Sequence, residues 1–544
     1  MNRALARFLT ACSLLASLCA SAQTSQPNGW RAPEAIVAPS HFSGVHGLAI
    51  DEHGRLLACT IIGNSIWQVD RTTGEAKVFI GSPDGQADDV AIGPQGQMAW
   101  TSYLMGVVHY RAGPRAPIQV VASNLPGINS VAFDPKTGKL YVSQVFAGDA
   151  LWEIDVTGTH APRLIAKDLG GLDGFQVGAD GMIYGPLWFK HSVVRIDPAN
   201  GALSVINAEF NAPSAVKLDA ADNLWVVDAA TGELSKVDPV TGRKTVFKTL
   251  KPSLDNLVLA SDGTIYVSNF ADNSITAVDM ASGSSRLLTG GVVAVPAGIK
   301  LSGGNMWLAD IFSYRKVDLA SGGVTDVMRM WAAGSTLQYP FALGLSDNLV
   351  VLASWITGTV QVLDRASNTT LATTTGWQTP YAALPLADGS VLVAEFATGN
   401  ITQASGAGFA TRKIVATGLA GPAQMTLGRD GALYVTESAA GDLARIDLTT
   451  GNKRVVATQL ALPEGVAQTP WGTFVVAEAG AGRLTEINPT TQKRRIVADQ
   501  LPIGLPGAPG MPPPYVATGV DVGTDGTVYF SANRNNAIYR VRPW

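Results

Sequence analysis

Cysteine is nearly missing from this chain, with Cys12, Cys19 and Cys59 the only three among 544 residues. Cys12 and Cys19 fall in an N-terminal stretch that reads as a removable secretory signal. Cys59 is then left alone, which excludes an intramolecular disulfide in the mature protein. Stability must come from packing, with Cys59, inside the run LLACT, expected as a small buried hydrophobe. Charge is sparse as well, at 15% of residues, with a net value of −4 and a pI near 5.9. No block of Lys and Arg occurs, which argues against a nucleic-acid partner. Histidine is confined to positions 41, 46, 53, 109, 160 and 191, so imidazole chemistry near neutral pH is excluded from the second half of the chain. No run of about 20 apolar residues follows the N-terminus, and no transmembrane segment is expected.

What is plentiful is glycine, at 58 residues, and apolar side chains, at 46%. That balance suits short strands packed face to face with tight turns. A chain of 544 residues also exceeds a usual single core, so two domains are the default. At the start, Arg3 and Arg7 precede an apolar stretch from Phe8 to Cys19, and Ala20-Ser21-Ala22 forms a small-residue cleavage site before Gln23. Leu9-Thr10-Ala11-Cys12 resembles a lipoprotein cleavage box, but little apolar sequence precedes it. The expected destination is periplasmic or secreted.

The dominant pattern is a repeat. An apolar stretch leads into a Gly turn, then an aliphatic or aromatic strand, a short loop and a strand ending in Asp or Asn. Examples are LVLASDGTIYVSNFADNSITAVD from Leu257 and MTLGRDGALYVTESAAGDLARID from Met425. Equivalent positions are Leu48, Val90, Val131, Phe175, Val216, Leu257, Ile299, Leu343, Ala383, Met425, Val466 and Val520, at intervals of 40 to 44 residues except the last, 54. The extra length holds IGLPGAPGMPPPY (Ile503 to Tyr515), which must be a loop. No single copy can bury both of its faces, so the copies are blades of a β-propeller, each with strands a to d running outward from an axis.

The ends bear on how the blades close. A strand of outermost type, Ala35 to Ala38, comes first, and the chain finishes on a third strand, Ile538 to Val541. A twelve-blade ring would exceed the usual range, whereas two six-blade rings satisfy the count. The expectation is therefore an all-β chain of two tandem six-bladed propellers: a signal at 1–22, one ring over 23–284 and another over 285–544. In that reading the strand at 35–38 closes blade 6 and Arg286-Leu287-Leu288 closes blade 12. A seven-plus-five split is the alternative.

Strand a is innermost, and the residue two before each aligned position should face the mouth of the ring beside the end of strand b. In ring one these are His46, Asp88, Asn129, Asp173, Ser214 and Asp255, with strand-b partners Thr60, Ser102, Gln144, Leu187, Asp228 and Asn269. In ring two they are Ala297, Phe341, Tyr381, Ala423, Glu464 and Thr518, with Asp310, Ser354, Glu395, Glu437, Glu478 and Ala532. Carboxylates crowded on one axis repel each other, and a hard divalent cation would relieve that. Asp88, Asn129, Asp173 and Asp255 are the candidate ligands, suiting Ca²⁺ or Mg²⁺, with Zn²⁺ or Mn²⁺ as alternatives. The same groups could instead hydrogen-bond the loops between strands d and a. His46 is the candidate proton carrier, and His191, beside Lys190 in a long loop, could lean over the same mouth. In ring two, the acids Glu395, Glu437, Glu464 and Glu478 could bind a cation or hold neighbouring loops.

These segments resemble known families. SGVHGLAID, LYVTES and LVAEF are similar to NHL-type and streptogramin (virginiamycin B) lyase propellers. GLDGFQVGADGMIYG and LPEGVAQTPWGTFVVAE resemble the senescence-marker/gluconolactonase six-blade propellers. The likeness spans nearly the whole mature chain at blade level. The lyase resemblance implies His and Glu acting with Mg²⁺ to eliminate across an ester-type bond. His46 matches the family histidine, and Glu395, Glu437 and Glu478 match its glutamates, although here they fall in different rings. The lactonase resemblance implies a metal-activated water attacking a lactone, with Asn129, Asp173 and Asp255 matching its axial ligands and the axial Glu found only at Glu464, in ring two. The combined expectation is an exported, divalent-metal-dependent hydrolase or lyase that opens a lactone or ester of a small-molecule substrate at the mouth of ring one. The alternative is a non-catalytic scaffold whose loops present a surface to a ligand or protein partner. A quinone-dependent redox propeller is a third reading, for which no cofactor motif is present.

Overall fold

The computed structural model describes residues 26–544; the signal expected at 1–22 lies outside them. Among the described residues there are twelve four-stranded antiparallel sheets and three single-turn 3₁₀ segments. Blades 1 to 6 take their strands in unbroken chain order, from Val45–Ile50 to Ser285–Thr289, and blades 7 to 11 do likewise from Ile299–Ser302 to Arg494–Ala498. The innermost strand of blade 1 packs on that of blade 6, and that of blade 7 on that of blade 12. The chain is two six-bladed propellers.

The closing strands are exchanged relative to expectation. Blade 12 consists of Val520–Val522, Val528–Ala532 and Ala537–Val541, completed by Glu34–Val37, with Glu34 opposite Arg540 and Ala35 opposite Tyr539. Ser285–Thr289 stays in blade 6, with Arg286 opposite Ala277 and Leu287 opposite Thr276. The reason is locality. Five residues, 280–284, separate strands Ser274–Asp279 and Ser285–Thr289, so this hairpin closes with little loop entropy. A boundary at 284/285 would cut that hairpin, and the first ring instead ends at Thr289. Ring one is thus inserted into ring two, and the chain crosses between them at 38–44 and 290–298. The crossings run side by side: a Cβ on Gly291 would lie 2.6 Å from Cβ of Ser40.

The upper face of each ring, where strand b ends and strand a begins, meets the upper face of the other. Ile62, Phe270 and Ala271 of ring one share one apolar cluster with Val295, Phe312, Met330, Leu337, Phe341 and Tyr515 of ring two. The segment Met330–Phe341 lies across the mouth of ring one. Trp331 stacks on Phe146 (centroids 5.2 Å apart) and meets Trp188 edge-on at 5.1 Å, and Ser253 Oγ donates to the Met330 carbonyl at 3.0 Å. At one edge the contact is ionic. The buried Arg315 donates to Asp310 (2.8 Å) and to Asp326 within ring two, and to Asp272 (3.3 Å) and the Ala271 carbonyl of ring one. Arg329 adds bonds to Asp272 at 2.7 Å and Asn269 at 2.9 Å. The insertion Ile503–Tyr515 is a loop, as its composition requires, and it fills the mouth of ring two. Tyr381 Oη donates to the Pro514 carbonyl at 2.5 Å and Trp355 Nε1 to that of Tyr515 at 3.2 Å.

Candidate functional site

Polar residues reach the axis of ring one because the innermost strands are irregular at their upper ends. Register slips between Val45 and Leu48 in blade 1, Ile128 and Val131 in blade 3, and Leu254 and Leu257 in blade 6. A bulge leaves residues unpaired and re-aims them, so two successive positions, not one, supply polar groups. The first layer is the expected set: His46, Asp88, Asn129, Asp173, Ser214 and Asp255. The second adds Asp89, Ser130 and Asn256. Gly47 makes room for it, since a Cβ there would lie 2.5 Å from Asp89 Oδ1, the oxygen that accepts from Asn256 Nδ2 at 3.2 Å.

The acids are nearly all buried, and burial raises every one of their pKa values. Asp88 is held well above the carboxylate range by burial and by Asp255, Asp173 and Asp89. Asp255 is likewise well raised, by burial and then by Asp173 and Asp89. Asp89 is raised by burial against the opposing charge of Lys217 and the amides of Val90, Val131 and Asn256. Asp173 is pushed up to about 7 by burial, although it accepts from the Gly174 amide at 2.9 Å and Ser130 Oγ at 3.2 Å. Ser130 Oγ also lies 2.9 Å from Asn129 Oδ1, which links Asn129 to this group. Protonation is therefore one way in which the crowded axis sheds its repulsion.

Two further residues belong to this cluster. Lys217, in strand Pro213–Leu218, is surrounded by protein yet keeps part of its surface accessible. Burial lowers its pKa, and Asp89, Asp173 and Asp255 oppose that shift. Tyr339, from ring two, is raised well above the usual phenol range by burial and by nearby Tyr103, Asp88 and Asp255, so it stands over the axis of ring one.

His46 is buried apart from any carboxylate partner among the described residues. Its Nδ1 lies 2.8 Å from the Gly44 carbonyl, Phe270 stacks on the ring at 5.7 Å, and Phe312 of ring two meets it edge-on at 5.6 Å. Burial takes its pKa down to about 4, against the Gly44 bond, so the ring is neutral at neutral pH. His191 is exposed, with left-handed backbone (φ 56°) and Nδ1 on the Asn211 carbonyl. The structure does not place it over the axis with His46.

The strand-b carboxylates share a different geometry. Glu395, Glu437 and Glu478 accept from the amides of Gln378 (3.0 Å), Ala420 (2.7 Å) and Ala461 (2.9 Å), in each case 17 residues earlier. Asp228 takes the amide of Asn211 in the same relation (2.7 Å), together with those of Ala212, Ala230 and Thr231. Asn269 bonds the Lys251 and Pro252 carbonyls. These groups tie the loop entering strand a to the end of strand b. Glu464, at the axis of ring two, is buried, accepts from the Thr518 amide at 2.6 Å, and is raised to about 7 by burial. Nearby Tyr381, with Phe341 and Trp355, is packed under the 503–515 loop.

No protein-family model matches the chain, and no curated protein is significantly similar to it. Solved structures similar to it include two lyases and a candidate gluconolactonase. A streptogramin B lyase is 17% identical with a TM-score of 0.27, over 61% of this chain and 93% of that one. The virginiamycin B lyase from Staphylococcus aureus is 15% identical with a TM-score of 0.26, over 61% and 94%. A candidate gluconolactonase is 14% identical with a TM-score of 0.36, over 45% and 90%. At such values the architecture rests on the strand pairing itself.

For a divalent cation, the chemistry of the ring-one donors is suitable. They are carboxylate and amide oxygens, and Asp88 Oδ2 is buried without a hydrogen-bond partner. Their placement is looser, because among the described residues no three His, Cys, Asp or Glu side chains gather about one point. The expected open mouth is also corrected, since ring two covers it. Alternation alone hid Asp89 and Asn256, which sit next to the aligned positions. Lys217 carried a legible signal as the single cation in an innermost strand of ring one. Tyr339 carried none, because only docking of the rings brings it there.

Proposed function

We propose that the chain is an exported hydrolase or lyase that opens an ester- or lactone-type bond at the axis of ring one, with a divalent cation taken up by Asp88, Asn129, Asp173 and Asp255. The supporting observation is the buried, unpartnered Asp88 Oδ2 among four raised acids. A cation drawn among them would replace protons, and its uptake requires the side chains to turn toward one another. Once bound, it would supply Lewis acidity toward a carbonyl group or a water. Asp173, oriented by Ser130 and Gly174, would be ionised as a ligand of the cation and gives up its proton on uptake. His46, kept neutral by burial, offers the proton acceptor.

Elemental analysis and calorimetric titration with Ca²⁺ and Mg²⁺ test the metal, with loss expected in Asp88→Asn and Asp173→Ala. A panel of lactones and aryl esters should show turnover that falls by about 10²-fold in those variants. Absence of both metal uptake and turnover removes the reading. Cell fractionation, with a mature N-terminus at Gln23, tests export. A second reading, a ligand-binding scaffold without chemistry, is favoured by one observation: ring two covers the upper face and packs Phe312 against His46. A ligand-induced rise in melting temperature without turnover would support it.

A further inference from the structure

On the face of ring one away from ring two, the innermost strands enclose a cavity of about 340 Å³. The layer of six equivalent positions that lines it is Ala49, Ala91, Ala132, Gln176, Lys217 and Val258. Three adjacent alanines leave the space open, and the exposed wall is more polar than apolar, because the side chains of Leu48, Val90, Val131 and Phe175 are buried in the cores between blades. Lys217 is the only cation in the lining. Its Nζ donates to the Phe175 carbonyl at 3.3 Å. An ammonium carries three N–H groups, so donors remain for an acceptor within the cavity. Just beyond Lys217 lie Asp89, Asp173 and Asp255, the acids of the axis. The opposite approach to those acids is covered by Trp331 and Tyr339 of ring two.

We propose that this lower cavity binds a small molecule with a terminal carbonyl or carboxylate group, whose oxygen accepts from Lys217, and that ligands reach the ring-one axis from this end. The inference rests on the reading that the axis of ring one is the functional one, and it names the substrate class. Ala49, Ala91 and Ala132 leave room beside the ammonium for a short carbon chain or ring. The ammonium selects oxygen acceptors and rejects amines. A lactone carbonyl and the carboxylate of its opened product satisfy the same donor.

The test is calorimetric titration of the full chain with hexanoate, in the absence of divalent cations so that binding is read apart from turnover. The wild-type chain should bind hexanoate and ignore hexylamine. Lys217→Met should weaken binding about tenfold or more, as loss of a charge-assisted hydrogen bond does. Ala91→Phe fills the cavity without touching a charge and should abolish binding. If Lys217→Met does not fold, Ala91→Phe and Ala132→Phe carry the test. No binding to the wild type, or binding that survives the cavity-filling variants, overturns the proposal. Lactone turnover unaffected by Ala91→Phe would overturn it while leaving the enzyme reading in place. Binding lost in Ala91→Phe without turnover in any form would support the cavity and remove the enzyme.

Discussion

Burial acts on single side chains here chiefly through protonation. Glu464 has a folded-state pKa of about 7, above the ordinary value of 4.5. The folded state then binds more protons than the unfolded one between these values, so the contribution of Glu464 to stability is greatest below the lower value and is lost as pH rises through about 7. Glu464→Gln should remove this dependence. The stability difference between wild type and variant, from urea titrations at pH 4 to 8, should change by up to about 3 kcal/mol across that window. Arg315 is the converse case, a buried cation saturated by Asp310, Asp272, Asp326 and a carbonyl. Arg315→Met leaves buried carboxylates without a partner and should destabilise by about 3–5 kcal/mol, read from thermal or denaturant unfolding.

At the scale of strands, the repeat is built from hairpins a few residues apart, which is why eleven of the blades are continuous in sequence. Blade 12 is the exception, depending on Glu34–Val37 for its outer edge, with Trp30 bridging to Pro543 beyond it. Deleting residues up to Val37 should expose the edge of Ala537–Val541. The second ring should then melt earlier in calorimetry, and light scattering should report association through the free edge. Blade positions, turn residues and the 503–515 loop were legible in the sequence, because alternation and glycine placement are local. The bulges that double the polar layers were not, since they depend on how six innermost strands crowd one axis. The acids ending strand b were visible as a set. Their backbone partners lay 17 residues earlier, within the same blade.

For the molecule as a whole, insertion of ring one into ring two makes a specific expectation. Residues 40–291 contain all strands of ring one, and the two crossings lie together. Expressed alone, this segment should unfold cooperatively in a single calorimetric transition and expose the apolar cluster around Phe270. A fragment starting at residue 290 should lack the closing strand of blade 12 and be less stable than the same fragment supplied with residues 26–38. The sequence by itself determined twelve blades, two rings, the polar axis of the first and the absence of histidine from the second, because each depends on the residue types repeated within some forty positions. Only the tertiary structure decided which ring receives the first strand, which faces meet, and that Lys217 and the open cavity lie on the side away from ring two. Those outcomes depend on pairing and docking between segments hundreds of residues apart, where equivalent blades offer equivalent partners and shape and burial select among them.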